Sequence, residues 1–167
     1  MDSQDSSFRF ALDAGAFYAG LVFQSSTSSY CTTEAVFDEV KHIKKSYGAI
    51  EALLESSSLR VLTPDKKSIE KVLSSARRTG DYTKLSDADI SILALALQLK
   101  ITLITDDYAV ANVATTMNIP VRSLASRGIS HARRWITYCS ACGKSFGANA
   151  KECRFCGNRL RRKYKVI

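Results

Sequence analysis

Two cysteine pairs constrain what this chain can fold into more than any other feature. Four of its five cysteines form Cys139-Ser-Ala-Cys142 and, after ten intervening residues, Cys153-Arg-Phe-Cys156, each followed by a glycine, Gly143 and Gly157. Zn2+ takes four soft ligands in a tetrahedron, with sulfur at about 2.3 Å. A Cys-x2-Cys turn brings two sulfurs to one side of such a site. The glycine behind it lets the backbone turn through positive φ, so that N–H groups face the thiolates. Two such knuckles predict a structural zinc ribbon from about Tyr138 onward. Disulfides are the rival, and an iron site a lesser one. The first residues, MDSQDSS, are polar and acidic and do not resemble a secretory signal, so a reducing, cytoplasmic location is expected. With four protein ligands the zinc has no open position for catalysis. So small a module has little core, and the metal should supply most of its folding energy. Cys31 reads as a buried structural thiol, since no histidine partner is evident.

The charge divides along the same line. From residue 127 to the end there are eleven Lys/Arg and one acid, a net +10, whereas residues 1–126 sum to −2. Charge gathered beside a zinc module points to a polyanion partner. Arg133, Arg134, Lys144, Arg154, Arg159, Arg161, Arg162 and Lys163 are the candidate RNA contacts, with Trp135 either stacking a base or packing the ribbon onto the rest of the chain. The other reading of this run is a solvated basic face. No apolar stretch approaches the roughly 20 residues of a membrane span, so no membrane partner is expected.

Before the ribbon, strand and helix patterns alternate. Phe8–Leu12 reads as a strand ending at Asp13, followed by a helix over Ala14–Phe23 and a serine-rich loop. Thr32 or Thr33 caps a helix carrying Val36, Phe37, Val40 and Ile43 at helical spacing. A short helix near Ala49–Leu54 precedes a second strand, Leu59–Leu62. Thr63-Pro64-Asp65 predicts a helix start with Thr63 as N-cap, and that helix ends near Gly80. Ser86-Asp-Ala-Asp89 opens the most apolar helix, to Leu99. Ile101–Ile104 is a third strand, a helix runs through Ala109, Val110 and Val113, and Ile119–Arg122 is a fourth strand. The pattern predicts an α/β fold with a parallel sheet flanked by helices. The organisation expected is a lead-in over 1–7, a domain over 8–126, a linker over 127–137 and the ribbon over 138–167.

In open parallel sheets, ligands sit beyond the carboxyl ends of the strands. Asp13 and Asp106 or Asp107 lie at such ends, and Asp89 lies in the first turn of the apolar helix. Gathered carboxylates repel unless a cation neutralises them, and hard cations such as Mg2+ or Mn2+ prefer oxygen ligands. Such an ion can promote phosphodiester hydrolysis. Each acid also has a plainer reading: Asp13, Asp89 and one of Asp106/Asp107 could be helix caps, and Glu39 a solvated surface group.

Longer stretches of the chain add a resemblance. LDAGAF at Leu12–Phe17, TTEAVFDEVK at Thr32–Lys41, TGDYTKLSDADISILALALQL at Thr79–Leu99, LITDDYAVANVA at Leu103–Ala114 and the ribbon occur in order over nearly the whole chain. Together they resemble the PIN-domain endoribonucleases, and within them the Nob-type family that matures small-subunit ribosomal RNA. The resemblance implies a PIN fold and metal-dependent cleavage of precursor rRNA near its 3′ end, within a pre-ribosomal particle. It also implies four acids holding one or two Mg2+ or Mn2+ ions. Asp13 matches the first acid, and Thr33-x-x-Val36-x-x-Glu39 matches the second better than Glu34 or Asp38 would. Asp89 matches the third, with Asp87 a weaker candidate. Asp107 matches the fourth, with Asp106 adjacent and Thr105 in support. Asp81, in Gly80-Asp81-Tyr82, has no assigned role, and His42 and His131 read as solvated. A VapC-like toxin ribonuclease with the same acids and a non-catalytic RNA- or ribosome-binding adaptor are the alternative functions.

Overall fold

The computed structural model describes residues 8–21, 29–41, 47–124, 133–147 and 150–166. His42, Ile43 and His131 lie outside them. A five-stranded parallel sheet is built from β1 (Phe10–Leu12), β2 (Tyr30–Thr33), β3 (Leu59–Leu62), β4 (Thr102–Ile104) and β5 (Val121–Arg122). Its order is β3-β2-β1-β4-β5, so the chain winds outward from β1 in both directions. The crevice between β1 and β4 is therefore the topological switch point, where such sheets open toward ligands.

The strand missing from the sequence reading is β2. Tyr30-Cys-Thr-Thr shows no alternation because all four residues are buried, and its last residue doubles as the N-cap of the next helix. A central parallel strand hides in this way: both faces are covered, so the period-2 signal vanishes.

The helices are α1 (Ala14–Tyr18), α2 (Glu34–Val40), α3 (Tyr47–Glu55), α4 (Lys66–Thr79), α5 (Asp87–Leu99) and α6 (Tyr108–Thr116). The first is shorter than expected, because Ala19 caps it and Gly20 turns out of it at φ 70°. The cap of α4 is Asp65, not Thr63: its carboxylate accepts from Ser68 N–H at 2.6 Å, the first-turn bond that Thr63 is too far back to make. Gly80 closes α4 at φ 80°, in the left-handed region where a side chain would be strained. The apolar helix α5 contacts β1, β2 and β4, and Ile92, Leu93 and Leu95 are fully buried on it. Burial of each such side chain contributes roughly 1.5–3 kcal/mol. This contact sets the direction of α5 and thereby places its N-terminus, with Asp89, at the carboxyl edge of the sheet. No helix among the described residues is long and apolar enough to cross a membrane.

A second, antiparallel sheet of order β7-β6-β8 belongs to the ribbon, from β6 (Arg133–Tyr138), β7 (Ser145–Phe146) and β8 (Arg161–Val166). Residues 133–137, expected as linker, are thus a strand: Arg133↔Val166 through Tyr138↔Arg161 pair in unbroken register.

Candidate active site and zinc centre

The acids converge because three helices begin at one edge of the sheet. Asp13 ends β1 and caps α1, its Oδ1 accepting from Ala14 N–H at 2.6 Å. Thr105, just past β4, donates from Oγ1 to Asp13 Oδ2 at 2.6 Å, spanning the switch point. The same hydroxyl accepts from Asp107 N–H at 3.0 Å, so one threonine ties two acids together. Asp107 Oδ1 caps α6, accepting from Ala109 and Val110 N–H at 2.7 and 2.9 Å. Asp89 completes a capping box: its Oδ2 accepts from Ser86 N–H at 2.8 Å while its own N–H donates to Ser86 Oγ at 3.1 Å. Thr33, capping α2, shares a 2.6 Å hydrogen bond with Ser91, which draws the starts of α2 and α5 together. Glu39 rides on α2 and is exposed.

The electrostatics record this proximity. Burial pushes the Asp13 carboxyl above its ordinary value of 3.8, and the charges of Asp89 and Asp107 push it further; the bonds from Thr105 and Ala14 pull the other way. Glu39 is also raised, first by partial burial and then by Asp89 and Asp13. Asp13 therefore feels Asp89 and Asp107, and Glu39 feels Asp89 and Asp13. Capping and clustering are not alternatives here, since three of the four acids do both.

The neighbouring acids are placed differently. Asp106 Oδ1 is turned to the β5 side, bonded to Ser123 Oγ and to Leu124 N–H. Asp87 lies in the first turn of α5 and is exposed. Asp38 pairs with Lys41 at 2.7 Å.

No Lys or Arg pairs with the four clustered acids among the described residues. No three carboxylates there have oxygens all within 4.8 Å of one another, so the group is open. An all-oxygen, partly buried donor set of this kind fits a hard divalent cation such as Mg2+ or Mn2+. A cation there would lower the charge repulsion recorded in the raised carboxyls.

The cysteines form a tighter centre. Their four sulfurs lie within 4.8 Å of one another, with Cys139···Cys156 and Cys142···Cys153 at 3.5 Å. A tetrahedron with bonds of about 2.3 Å has edges of about 3.8 Å, so the set fits zinc. The two knuckles repeat each other: Gly143 and Gly157, at φ 72° and 69°, donate to Cys139 and Cys153 carbonyls at 2.9 Å in both. Backbone N–H groups of Cys142 and Ala141 help bring the Cys139 thiol down to about 6. Cys31 is instead buried in the main core, where desolvation pushes its thiol up to about 12.

The basic candidates lie on the ribbon. Lys144, Arg154, Arg159, Arg161, Arg162 and Lys163 are exposed, with Lys144 Nζ 3.3 Å from the Phe155 ring centroid and Lys163 Nζ 4.5 Å from that of Tyr138. Arg133 and Arg134 contribute backbone to β6. Two residues that sequence reasoning did not single out stand beside this set. Phe155, at 66% exposure, projects from the second knuckle, and Lys84 faces Trp135. Exposure of a single Phe inside Cys-x2-Cys carries no sequence signal.

Comparison with known proteins adds to this geometry. The family described as "PIN domain of ribonuclease" matches residues 10–99. The chain is 36% identical to "Endoribonuclease Nob1" of Pyrococcus abyssi, over 83% of this chain and 81% of that protein. It is 37% identical to "Ribonuclease VapC1" of Thermoplasma acidophilum, over 78% of this chain and 66% of that protein. It is also 36% identical to the "20S-pre-rRNA D-site endonuclease NOB1" of Saccharomyces cerevisiae, over 52% of this chain and 18% of that much longer protein.

Proposed function

Since the chain belongs to the Nob1 endoribonucleases of the PIN-domain family, we propose that it cuts precursor small-subunit rRNA near the 3′ end of the mature RNA. Asp13, Glu39, Asp89 and Asp107 would hold one or two Mg2+ or Mn2+ ions for this reaction. The observation that carries the reading is Thr105 tying Asp13 and Asp107 together across the switch point, with Asp89 near enough to raise both Asp13 and Glu39.

A divalent cation bound there supplies Lewis acidity toward water and the scissile phosphate. The residues of the chain supply position. Thr105 holds Asp13 and the Asp107 backbone together, the N-terminal N–H groups of α6 hold the Asp107 side chain, and Ser86 holds Asp89. Three carboxylates are thus oriented before substrate arrives, which spares the reaction that reorganisation. Glu39 is the exposed fourth, on the solvent side of the group. Zinc is structural in this reading: it folds the ribbon whose basic strands grip the RNA backbone within the pre-ribosomal particle.

The test is cleavage of RNA spanning the mature 3′ end, with and without Mn2+, by the wild type and Asp13→Asn. Mn2+-dependent cleavage lost in the variant, with RNA affinity intact or raised, is the expected result. Unchanged cleavage by Asp13→Asn would sink the mechanism, and binding without any cleavage by the wild type would favour a non-catalytic adaptor. Similarity to VapC1 supports a second reading, a toxin ribonuclease with the same acids. Preferential cutting of a different RNA class would select it.

A further inference from the structure

Asp81 is fully buried, yet it takes no part in the acid cluster. Its Oδ2 accepts from Asn112 Nδ2 of α6 at 2.6 Å. Its Oδ1 has no hydrogen-bond donor and faces Lys84 Nζ at 3.9 Å across the short 3-10 turn Tyr82–Lys84. A buried carboxylate without a nearby counter-charge is costly, and Lys84 supplies that charge while keeping 42% of its side chain exposed. The same ammonium lies 4.4 Å from the ring centroid of Trp135, on the first strand of the ribbon. Arg162, on the last strand, lies 5.3 Å from that ring and donates from Nη2 to the Gly80 carbonyl at 3.1 Å. That carbonyl belongs to the residue capping α4, at the end of a helix where cations are favoured.

These contacts join the ribbon to the corner between α4 and α5. The corner leads directly through Leu85 and Ser86 into the capping box that carries Asp89. We infer that Asp81 is a positioning residue, fixing Lys84 as the seat of Trp135 and so setting where the zinc ribbon stands relative to the acid cluster. A lysine stem has four rotatable bonds, and holding its ammonium in one place needs a partner. Asp81, itself held by Asn112, is that partner. The Gly-Asp-Tyr motif therefore has a use: glycine ends the helix and offers its carbonyl, while aspartate anchors the cation. Arg162 and Trp135 act in the seam, and the RNA-facing charge of the ribbon comes from its other basic residues.

The docking stands without the nuclease reading, and only its effect on cleavage rests on that reading. Trp135 is the single tryptophan of the chain, so its fluorescence reports on the seam directly. Lys84→Met keeps the apolar stem and removes the charge; it should shift the docked-to-undocked ratio by about two- to five-fold. Acrylamide quenching of Trp135 should rise accordingly, with far-UV circular dichroism and zinc content unchanged. Asp81→Asn should raise quenching as well, and the double variant no further than Lys84→Met alone, because both act through one ammonium. On a precursor long enough to reach the ribbon, Lys84→Met should raise KM with kcat held. On a short oligonucleotide neither should move. Quenching in Lys84→Met equal to that of the wild type would overturn the inference even if Asp81→Asn fails to fold, and so would additive effects in the double variant. A quenching change with no KM change on the long precursor would overturn the positioning role while leaving the docking.

Discussion

At the residue scale, the raised carboxyl of Asp13 links stability to function. A carboxyl raised in the folded state binds its proton more tightly there than in the unfolded chain. Its favourable contribution is fully present below its unfolded value of 3.8 and is lost as pH rises through the folded value. At neutral pH the ionised group is a cost to the fold. Asp13→Asn should therefore melt higher than the wild type at neutral pH without added divalent cation, a gain that disappears below 3.8. Added Mn2+ should raise the wild-type melting temperature more than that of the variant. A variant melting lower at neutral pH would contradict the linkage. Thr105 works in the opposite direction, since its hydrogen bond lowers Asp13. Thr105→Val should move the acid limb of Mn2+-dependent cleavage to higher pH and cost about 1–3 kcal/mol, because the Asp107 N–H loses its acceptor. An acid limb that stays in place would remove Thr105 from the tuning.

At the scale of elements, the start of α5 carries both a capping box and one acid of the proposed site. Ser86→Ala removes one half of the capping box and should destabilise the domain by about 0.5–2 kcal/mol in denaturant unfolding. The backbone N–H of residue 86 still holds the Asp89 carboxylate in this variant, so cleavage should fall by no more than the stability loss implies, and Ser86→Asn, another good cap, should restore stability. Activity lost well beyond the stability change would mean that the Ser86 hydroxyl orients Asp89 as well. Elements were readable to different degrees for physical reasons. The helix α5 announced itself through its cap and its apolar run, and α4 through Gly80. Strand β2 did not, because full burial erases alternation and because Thr33 serves strand and helix at once. The early end of α1 turned on Gly20, whose positive φ no local pattern required.

At the scale of the molecule, the two centres should separate under metal removal. A chelator that strips zinc should release one equivalent per chain, unfold the ribbon and red-shift Trp135 emission. The main domain, with a core of its own around α5 and β1, should keep its cooperative melt. Loss of both transitions together would show that the domains fold as one. Replacing Arg161 and Lys163 by Ala should flatten the salt dependence of binding to single-stranded RNA, by about 0.7 in slope for each phosphate no longer neutralised. An unchanged slope would place the grip elsewhere on the ribbon.

The convergence of the two cysteine pairs, the basic segment, the helix caps other than Asp65 and the family were readable from residues alone, because each rests on local spacing or on words that survive without coordinates. The cysteine pairs even specify their own tertiary contact, since a tetrahedral sulfur site takes two ligands from each. The tie of Thr105 to Asp13 spans 92 positions, and the link from Asp81 through Lys84 to Trp135 joins the corner between α4 and α5 to the second sheet. Asp89 likewise serves as both cap and member of the cluster. These arrangements were decided only when burial of α5 across β1, β2 and β4 brought distant helix starts to one edge. A carboxylate in sequence is a cap, a surface charge or a ligand with equal ease. What surrounds it in space determines which, and spacing along the chain does not encode that neighbourhood.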